Sequence, residues 1–229
     1  MSPPKLTASD VASRDLFGAS VAIDGDTVVV GARYDDNDRG NGAAYVFTRS
    51  GSTWSEQARL AASDADYGDM FGGNVAIDGD TVLVGTREEA HREHDYTEAA
   101  YVFTRSWASW SEQAKLTASD ADGGDFFGWS VAIDGDTAVI GARYDDDNGK
   151  NKKSGSAYVF TRSGTSWSEQ QKITDSDADY GHEFGHSVAI DGETIVIGVP
   201  GHSDEETLLT DDPEDSDDGY NSGAAYISP

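Results

Sequence analysis

Apolar and polar residues alternate in short runs along this chain, and the runs return in near-identical copies. In Ser20-Val21-Ala22-Ile23 every second side chain lies on the same side of an extended strand. The β-branched run at residues 27–30 is typical of a second, buried strand. Because Asp24-Gly25 between the two runs favours a two-residue type I′ turn, the pattern predicts a β-hairpin at the start of each copy.

Each copy is marked by a Phe-Gly dipeptide and recurs after about 55 residues, a period typical of repeat architectures. The pattern predicts two further strands, at residues 43–48 and 54–62, joined by a tight turn that contains Gly51. Four antiparallel strands per repeat are typical of a β-propeller blade. The Phe residues, which we expect in the core between blades, are Phe17, Phe71, Phe127 and Phe184.

The repeats predict an all-β fold, a β-propeller of four four-stranded blades in one domain, residues 1–229. The blades are expected at about 11–64, 65–120, 121–177 and 178–229, the last together with 1–10. The chain opens on the motif of a fourth strand and ends on the motif of a third, so we expect the N-terminal strand to complete the C-terminal blade and close the ring. Half of an eight-bladed dimeric ring, or a fragment of a seven-bladed propeller, remains an alternative.

Charge narrows the possible partners, because the chain carries a net charge of -27 and no cysteine. Such a surface repels nucleic acids and anionic membranes. The acid is mostly Asp and Lys is scarce, a composition that indicates a protein adapted to high salt, from a halophilic microbe. No apolar run approaches the length of a membrane-spanning helix, and the first residues contain no apolar signal segment.

The repeated string F-G-x-S-V-A-I-D-G-D-T-V-V-V-G-A, followed by an acidic loop and G-A-A-Y-V-F, resembles the FG-GAP repeat of integrin-α-like propellers. The resemblance covers nearly the whole chain, although only Gly198-Val199-Pro200 keeps the proline that the family has at that position. The family carries a calcium loop between its first two strands, and here the tight turn Asp24-Gly25-Asp26 replaces it. Two turn residues cannot surround a calcium ion, so that site is not carried over.

The loops that join the second strand to the third, and one blade to the next, are long and acidic. We expect them on one rim of the propeller, opposite the tight turns. Carboxylate and amide oxygens are the ligands that Ca²⁺ or Mg²⁺ prefers, so these loops predict possible cation sites, with a solvated acidic surface as the alternative. The candidate ligands are Asp35, Asp36, Asp38, Asp145, Asp146, Asp147, Asp215, Asp217 and Asn221.

The residue after Phe-Gly differs among the copies and begins the innermost strand, so it is expected at the mouth of the central channel. Trp129 and His186 occupy this position in the third and fourth copies, and Tyr34 and Tyr144 are predicted near the same rim. Aromatic rings beside carboxylates suit a carbohydrate or a cationic ligand. Random variation at an exposed rim is the alternative.

Two histidine-containing segments also attract attention. His182-Glu183-Phe184-Gly185-His186 matches the H-E-x-x-H motif, but the equivalent residues of the other copies form a loop that leads into a strand, which argues against a zinc protease helix. His91, Glu93, His94 and Asp95 replace the Asp-rich loop of the second copy and could hold a transition metal.

These patterns together predict a non-catalytic recognition or adhesion module, extracellular or at the cell surface, that binds a carbohydrate, a protein or a divalent cation through its acidic rim. The resemblance implies the adhesion role. No organic cofactor is expected, and the chain is predicted to be a monomer or a homodimer. The alternatives are a glycan hydrolase or lyase that uses rim carboxylates with His186, and a structural unit that assembles with itself.

Overall fold

The computed structural model describes residues 4–10, 12–35, 40–66, 68–86, 98–146, 153–176, 179–202 and 223–228. Every regular element in these residues is a β-strand, and the strands form four antiparallel sheets, here called blades 1 to 4. The predicted all-β, four-bladed propeller is confirmed. None of the described residues belongs to a helix that is long and apolar enough to cross a membrane.

Sequence order and sheet order agree in every blade, so each blade is a simple meander. Blade 1 consists of β1 (Ser20–Asp24), β2 (Thr27–Ala32), β3 (Ala43–Ser50) and β4 (Thr53–Leu60). Blade 2 consists of β5 (Asn74–Asp78), β6 (Thr81–Gly85), β7 (Ala100–Ser106) and β8 (Ser109–Leu116). Blade 3 consists of β9 (Phe127–Asp134), β10 (Thr137–Ala142), β11 (Ser156–Ser163) and β12 (Ser166–Thr174), and blade 4 of β13 (Ser187–Asp191), β14 (Thr194–Val199) and β15 (Ala224–Ser228).

The tight turns follow the predicted chemistry, with one exception. Asp24 pairs with Thr27 across the first hairpin, and Gly25 has the positive φ, 52°, that a type I′ turn requires. The second hairpin of blade 2 places Trp107 where blades 1 and 3 have glycine. Trp107 adopts a φ of 60° and is 97% exposed. An aromatic residue in this region of backbone space is strained, so the turn is less favourable than its copies.

The Phe of the second, third and fourth Phe-Gly pairs fills the space between two blades, as predicted, whereas Phe17 is half-buried against Tyr45 and Phe47 of blade 1. Phe71 is fully buried among Val29 and Ala44 of blade 1 and Tyr101 of blade 2, with its ring 5.6 Å from that of Tyr101. Edge-to-face aromatic contacts of this kind add to the stabilisation from burial. Phe127 and Phe184 are buried in the same way at the next two interfaces.

Polar contacts repeat at the same interfaces and fix the spacing of the blades. Between blades 1 and 2, Asp24 accepts a hydrogen bond from the Gly79 amide at 2.8 Å, and Arg105 Nη1 donates to Thr27 Oγ1 at 3.1 Å. The equivalent bonds recur between blades 2 and 3. Because both the apolar and the polar contacts repeat, the rim loops are carried on a regular scaffold.

The predicted closure of the ring needs a correction. Residues 4–10 form no strand and pair with no strand in the part of the chain that the structure describes, so blade 4 has three strands there. Leu6 and Ala8 instead pack on blade 1, and Ser9 bonds to Glu56, as the Ser63 of the next repeat bonds to Glu112. The segment buries its apolar side chains on the blade that follows it, and β15 lies at the other end of the array.

Candidate functional site

The long loops of neighbouring blades meet on one rim, as the repeats predicted. The loop between the second and third strands of blade 1 bonds to the segment that leads into blade 2, through Phe71 N to Asn41 O at 3.0 Å. The same contact joins blade 3 to blade 4, where Phe184 N donates to Ser154 O at 2.8 Å. Side chains from consecutive blades therefore come together at each of these junctions.

Two of the predicted cation ligands, Asp35 and Asp145, are buried beneath this rim and have cationic partners from their own blades. Lys172 lies 2.6 Å from Asp145, and Arg59 forms an ion pair with Asp35. Tyr158 lies within hydrogen-bond distance of Asp145, at 3.0 Å. Because a basic side chain already neutralises each of these carboxylates, they serve the blade in this structure and are poorly placed to bind calcium.

The network around Lys172 also changes the proton affinities of its members. Burial raises the pKa of the Tyr158 hydroxyl, and the neighbouring charges of Asp145 and Asp120 raise it further. Burial alone would raise the pKa of Asp120, but its hydrogen bonds with Lys172 and Tyr158 outweigh that effect and hold the pKa below its usual value. This Lys172 network therefore links Asp120, which follows β8 of blade 2, to β11 and β12 of blade 3.

A second acidic group lies where blades 2 and 3 meet. Glu98 is buried and accepts hydrogen bonds from the amides of Gly124 at 3.0 Å and Phe127 at 2.9 Å. Burial raises the pKa of Asp125 to about 7, with further contributions from the negative charges of Asp145 and Glu98. Asp125 therefore exchanges its proton near neutral pH, unlike an ordinary carboxyl group.

Aromatic and basic side chains converge where blade 3 meets blade 4. We call Phe126, Trp129, Arg143, Tyr144, Glu183 and His186 the blade 3–4 rim cluster. The Arg143 guanidinium lies 3.4 Å from the ring centre of Trp129 and 4.2 Å from that of Tyr144. Glu183 is 3.5 Å from Arg143, and the rings of Trp129 and His186 are 5.9 Å apart.

Three of the four predicted channel-mouth residues thus belong to one cluster. Trp129, Tyr144 and His186 come together around Arg143. Tyr34 lies in blade 1, where the Arg33 guanidinium is 5.3 Å from its ring centre. The sequence did not reveal the role of Arg143, although an Arg that precedes Tyr in two of the repeats was a visible signal.

A buried cluster between the end of β12 in blade 3 and the loops of blade 4 was also missed by sequence reasoning. Asp175, His182 and His202 are each buried, and one potential ligand atom from each lies within 4.8 Å of the others. His182 Nδ1 is 3.3 Å from an Asp175 carboxylate oxygen, and the two imidazole rings are 5.1 Å apart. We call these three residues the His–Asp cluster.

The histidines of the H-E-x-x-H match do not form a helical pair. Residues 182–186 form a loop that leads into β13, and Glu183 has a positive φ of 58°, which a helix does not contain. The prediction that this match is not a protease helix is confirmed. His182 belongs to the His–Asp cluster and His186 to the rim cluster.

The other candidates give less structural information. Asp146 is partly exposed next to Asp145. The remaining predicted ligands lie outside the described residues, and so does the histidine-containing segment of the second repeat. They are Asp36, Asp38, Asp147, Asp215, Asp217, Asn221, His91, Glu93, His94 and Asp95.

An antiparallel meander repeated in four blades defines the β-propeller class. The family model of the FG-GAP repeat matches residues 3–47, 54–103, 110–160 and 167–228. The chain therefore belongs to the FG-GAP repeat family. FG-GAP repeats are typical of extracellular or surface proteins.

Other comparisons add little detail. No curated protein sequence matches this chain. Among solved structures, that of Saccharomyces cerevisiae Sqt1 is similar at 11% sequence identity, with a TM-score of 0.48 over 82% of this chain and 43% of that chain. The chain thus spans less than half the length of that similar protein.

Proposed function

We propose that this protein is a non-catalytic recognition module, extracellular or at the cell surface, that binds a protein or carbohydrate ligand at the blade 3–4 rim cluster. An FG-GAP propeller is consistent with a ligand-binding or adhesion role. The observation that carries the proposal is the convergence of Trp129, Arg143 and His186 at one junction of the rim.

The chemistry of the cluster supports this proposal. Stacking against Trp129 and Tyr144 fixes the plane of the Arg143 guanidinium, so that little side-chain entropy is lost when a ligand binds. A fixed guanidinium donates in a fork to a carboxylate or to paired hydroxyl groups. The ring edges of Trp129 and His186 add apolar contact. This combination suits an acidic peptide side chain or a sugar.

Comparison with blade 1 supports a functional role over a purely structural one. The residues that correspond to Phe126 and Trp129 are Leu16 and Ala19, yet blade 1 forms the same four-stranded sheet. The aromatic side chains of the rim cluster are therefore not required for the blade to fold. A feature that the scaffold does not need is more readily explained by ligand binding.

Arrays of glycans and peptides, probed with the labelled protein in molar KCl, test the proposal. The variant Trp129→Ala places the blade 1 residue in blade 3 and should bind the recognised ligand at least tenfold more weakly. Trp107→Ala removes a tryptophan that is 97% exposed on a turn of blade 2 and serves as the matched control. Equal binding by the Trp129 variant, or no binding by the natural protein, would exclude this function.

Calcium binding at the rim is a separate hypothesis, which concerns Asp146 and the candidates outside the described residues. Calorimetric titration with Ca²⁺ after chelation, in molar KCl, measures it directly. Specific binding predicts a saturable heat and a higher melting temperature. A titration without saturable heat would leave the rim carboxylates as a solvated acidic surface.

A further inference from the structure

The His–Asp cluster has the composition and spacing of a metal site. For a tetrahedral ion with bonds of about 2.0–2.1 Å, neighbouring ligand atoms lie about 3.3 Å apart. His182 Nδ1 and the Asp175 carboxylate oxygen are separated by 3.3 Å, and the three ligand atoms lie within 4.8 Å of one another. A small closing movement of His202 would complete three corners of a tetrahedron and leave the fourth for water.

The internal repeats show that the cluster is a departure specific to the junction of blades 3 and 4. Asp175 stands where the other copies have Ala8, Ala62 and Ala118, all of them buried. His182 and His202 replace aspartates of the other copies, among them Asp125 and Asp145 in blade 3. Three changes in the connecting segments next to β12, β13 and β14 converge on one buried point, which indicates that they share a function.

We propose that Asp175, His182 and His202 bind one divalent transition-metal ion, with Zn²⁺ as the first ion to test. Imidazole nitrogens with a single carboxylate suit zinc, cobalt or nickel, whereas calcium requires six to eight oxygen ligands. The site joins the end of β12 in blade 3 to the loop after β14 in blade 4, so the ion would hold these two blades together.

Metal binding is measured by calorimetry with Zn²⁺ and by the visible spectrum of added Co²⁺, in molar KCl to suppress loose binding to the acidic surface. We expect one equivalent per chain and a tetrahedral Co²⁺ spectrum. The variants Asp175→Ala, His182→Asp and His202→Asp each restore a residue that other blades carry, so they should fold. Each should weaken binding at least tenfold.

Two controls separate this site from other histidines. His186→Ala removes a rim histidine that does not belong to the cluster, and a double His91→Ala, His94→Ala variant removes those outside the described residues. Both should bind Zn²⁺ like the natural protein. The proposal is wrong if the natural protein binds no stoichiometric Zn²⁺, or if Asp175→Ala binds it with unchanged affinity.

A second, independent observation concerns the two ends of the array. The side chains of Val21 and Ile23 on blade 1 are 68% and 67% exposed, whereas the equivalent Val75 of blade 2 is buried against blade 1. On blade 4, Val196 and Ile227 are 37% and 72% exposed, whereas the equivalent side chains of blades 1 to 3 are buried. The exposed face of blade 1 corresponds to the face with which blade 2 packs on the blade before it. The exposed face of blade 4 corresponds to the face with which blades 1 to 3 pack on the blade after them.

The glycines at these interfaces confirm that the last face is open. A Cβ on Gly31 or Gly141 would overlap the carbonyl oxygen of Gly72 or Gly185 in the following blade. At the equivalent Gly198, the three nearest atoms that a Cβ would meet among the described residues all belong to Ser187 of its own blade. In the part of the chain that the structure describes, no backbone of a following blade therefore packs against Gly198 of β14.

The polar groups of the two faces are complementary as well. By the pattern of the inner interfaces, Asp191 would accept a hydrogen bond from the Gly25 amide, and Arg49 would donate to Thr194. The register of β3 with β4, in which Ala44 faces Leu60, would place Leu6 opposite Ala225. The segment 4–10 would then supply the fourth strand that blade 4 lacks.

We propose that the two end faces are occupied by a second copy of this chain, joined head to tail in an eight-bladed ring. Each copy would lend its N-terminal segment to blade 4 of the other. Eight blades lie within the range of known closed propellers. Since each chain carries a net charge of -27, the dimer should strengthen as salt rises.

The molar mass in solution and a cross-link test this assembly. Light scattering in molar KCl should give about twice the chain mass of 24.3 kDa. The chain has no cysteine, so a Leu6→Cys chain mixed with an Ala225→Cys chain should form a disulfide between chains without background. The variant Gly198→Ala should remain folded and become monomeric, while Trp107→Ser should stay dimeric.

Two results would contradict the proposed dimer, and they can be told apart. A monomeric mass at every concentration overturns the assembly. A disulfide within one chain in the Leu6→Cys, Ala225→Cys double variant would show a closed four-bladed monomer instead, and would also overturn it. Failure of this assembly does not affect the metal proposal, because the His–Asp cluster lies between blades 3 and 4 of a single chain.

Discussion

Blades 3 and 4 have nearly the same strand sequences but differ at two places. At the face toward the next blade, Val139 of blade 3 is fully buried, whereas Val196 of blade 4 is 37% exposed. After the second strand, blade 3 has Asp145 with a lysine partner, whereas blade 4 has His202 of the His–Asp cluster at the equivalent position. The same repeat position can therefore serve packing in one blade and remain available for binding in another.

The largest effect should come from closing the gap that glycine leaves between blades. Gly141→Ala should lower the free energy of unfolding by about 3 kcal/mol or more, because its Cβ would overlap the Gly185 carbonyl oxygen of blade 4. Gly198→Ala should cost less than about 1 kcal/mol in the monomeric chain. Denaturant titration at low salt and low protein concentration, which disfavour the proposed dimer, measures both in the monomeric chain, and equal losses there would contradict the difference between the faces.

The next effect concerns the Lys172 network beneath the blade 3 rim. Lys172→Met should destabilise the protein by about 3 kcal/mol, because it leaves Asp145 buried without its cation. The control Lys153→Met removes an exposed lysine above Tyr144 and should cost less than about 1 kcal/mol. Thermal unfolding followed by circular dichroism compares them. Similar melting temperatures for the two variants would show that the Lys172 network contributes little to stability.

A smaller effect should appear in the pH dependence of stability. The pKa of Asp125 is about 7 in the folded protein, above its ordinary value of about 3.9, so the folded chain holds a proton that the unfolded chain has lost between about pH 4 and 7. Stability should therefore fall as pH rises through that window. Asp125→Asn should flatten this slope and stabilise the protein by about 1–2 kcal/mol at pH 8. Parallel pH profiles for the two proteins would contradict the assignment.

The smallest effect extends the comparison to a turn of blade 2. Blades 1 and 3 have Gly51 and Gly164 where blade 2 has Trp107 at a φ of 60°. Trp107→Gly should stabilise the protein by about 0.5–1 kcal/mol, because glycine adopts this conformation without strain. Chemical denaturation measures the gain, and a loss of stability would mean that the indole makes a favourable contact.

Strand positions and turns could be read from the sequence because each depends on local pattern. The Asp24-Gly25 hairpin and the burial of Phe71 between blades were predicted correctly. The His–Asp cluster was missed, since Asp175 and His202 meet only after two loops fold together. The sequence left the choice between a closed ring and a half ring open, because the angle between blades is set by packing across whole faces and not by any single motif.

The placement of the tryptophans has a consequence for optical measurements. Trp110 and Trp167 are bonded to Gln57 and Gln113 of the preceding blade and lie under arginine side chains, Trp129 stacks on Arg143, and Trp107 projects into solvent. Acrylamide should therefore quench the Trp107 emission first, at the longest wavelengths. A Trp107→Phe protein would leave emission that reports on the contacts between blades and on the rim cluster.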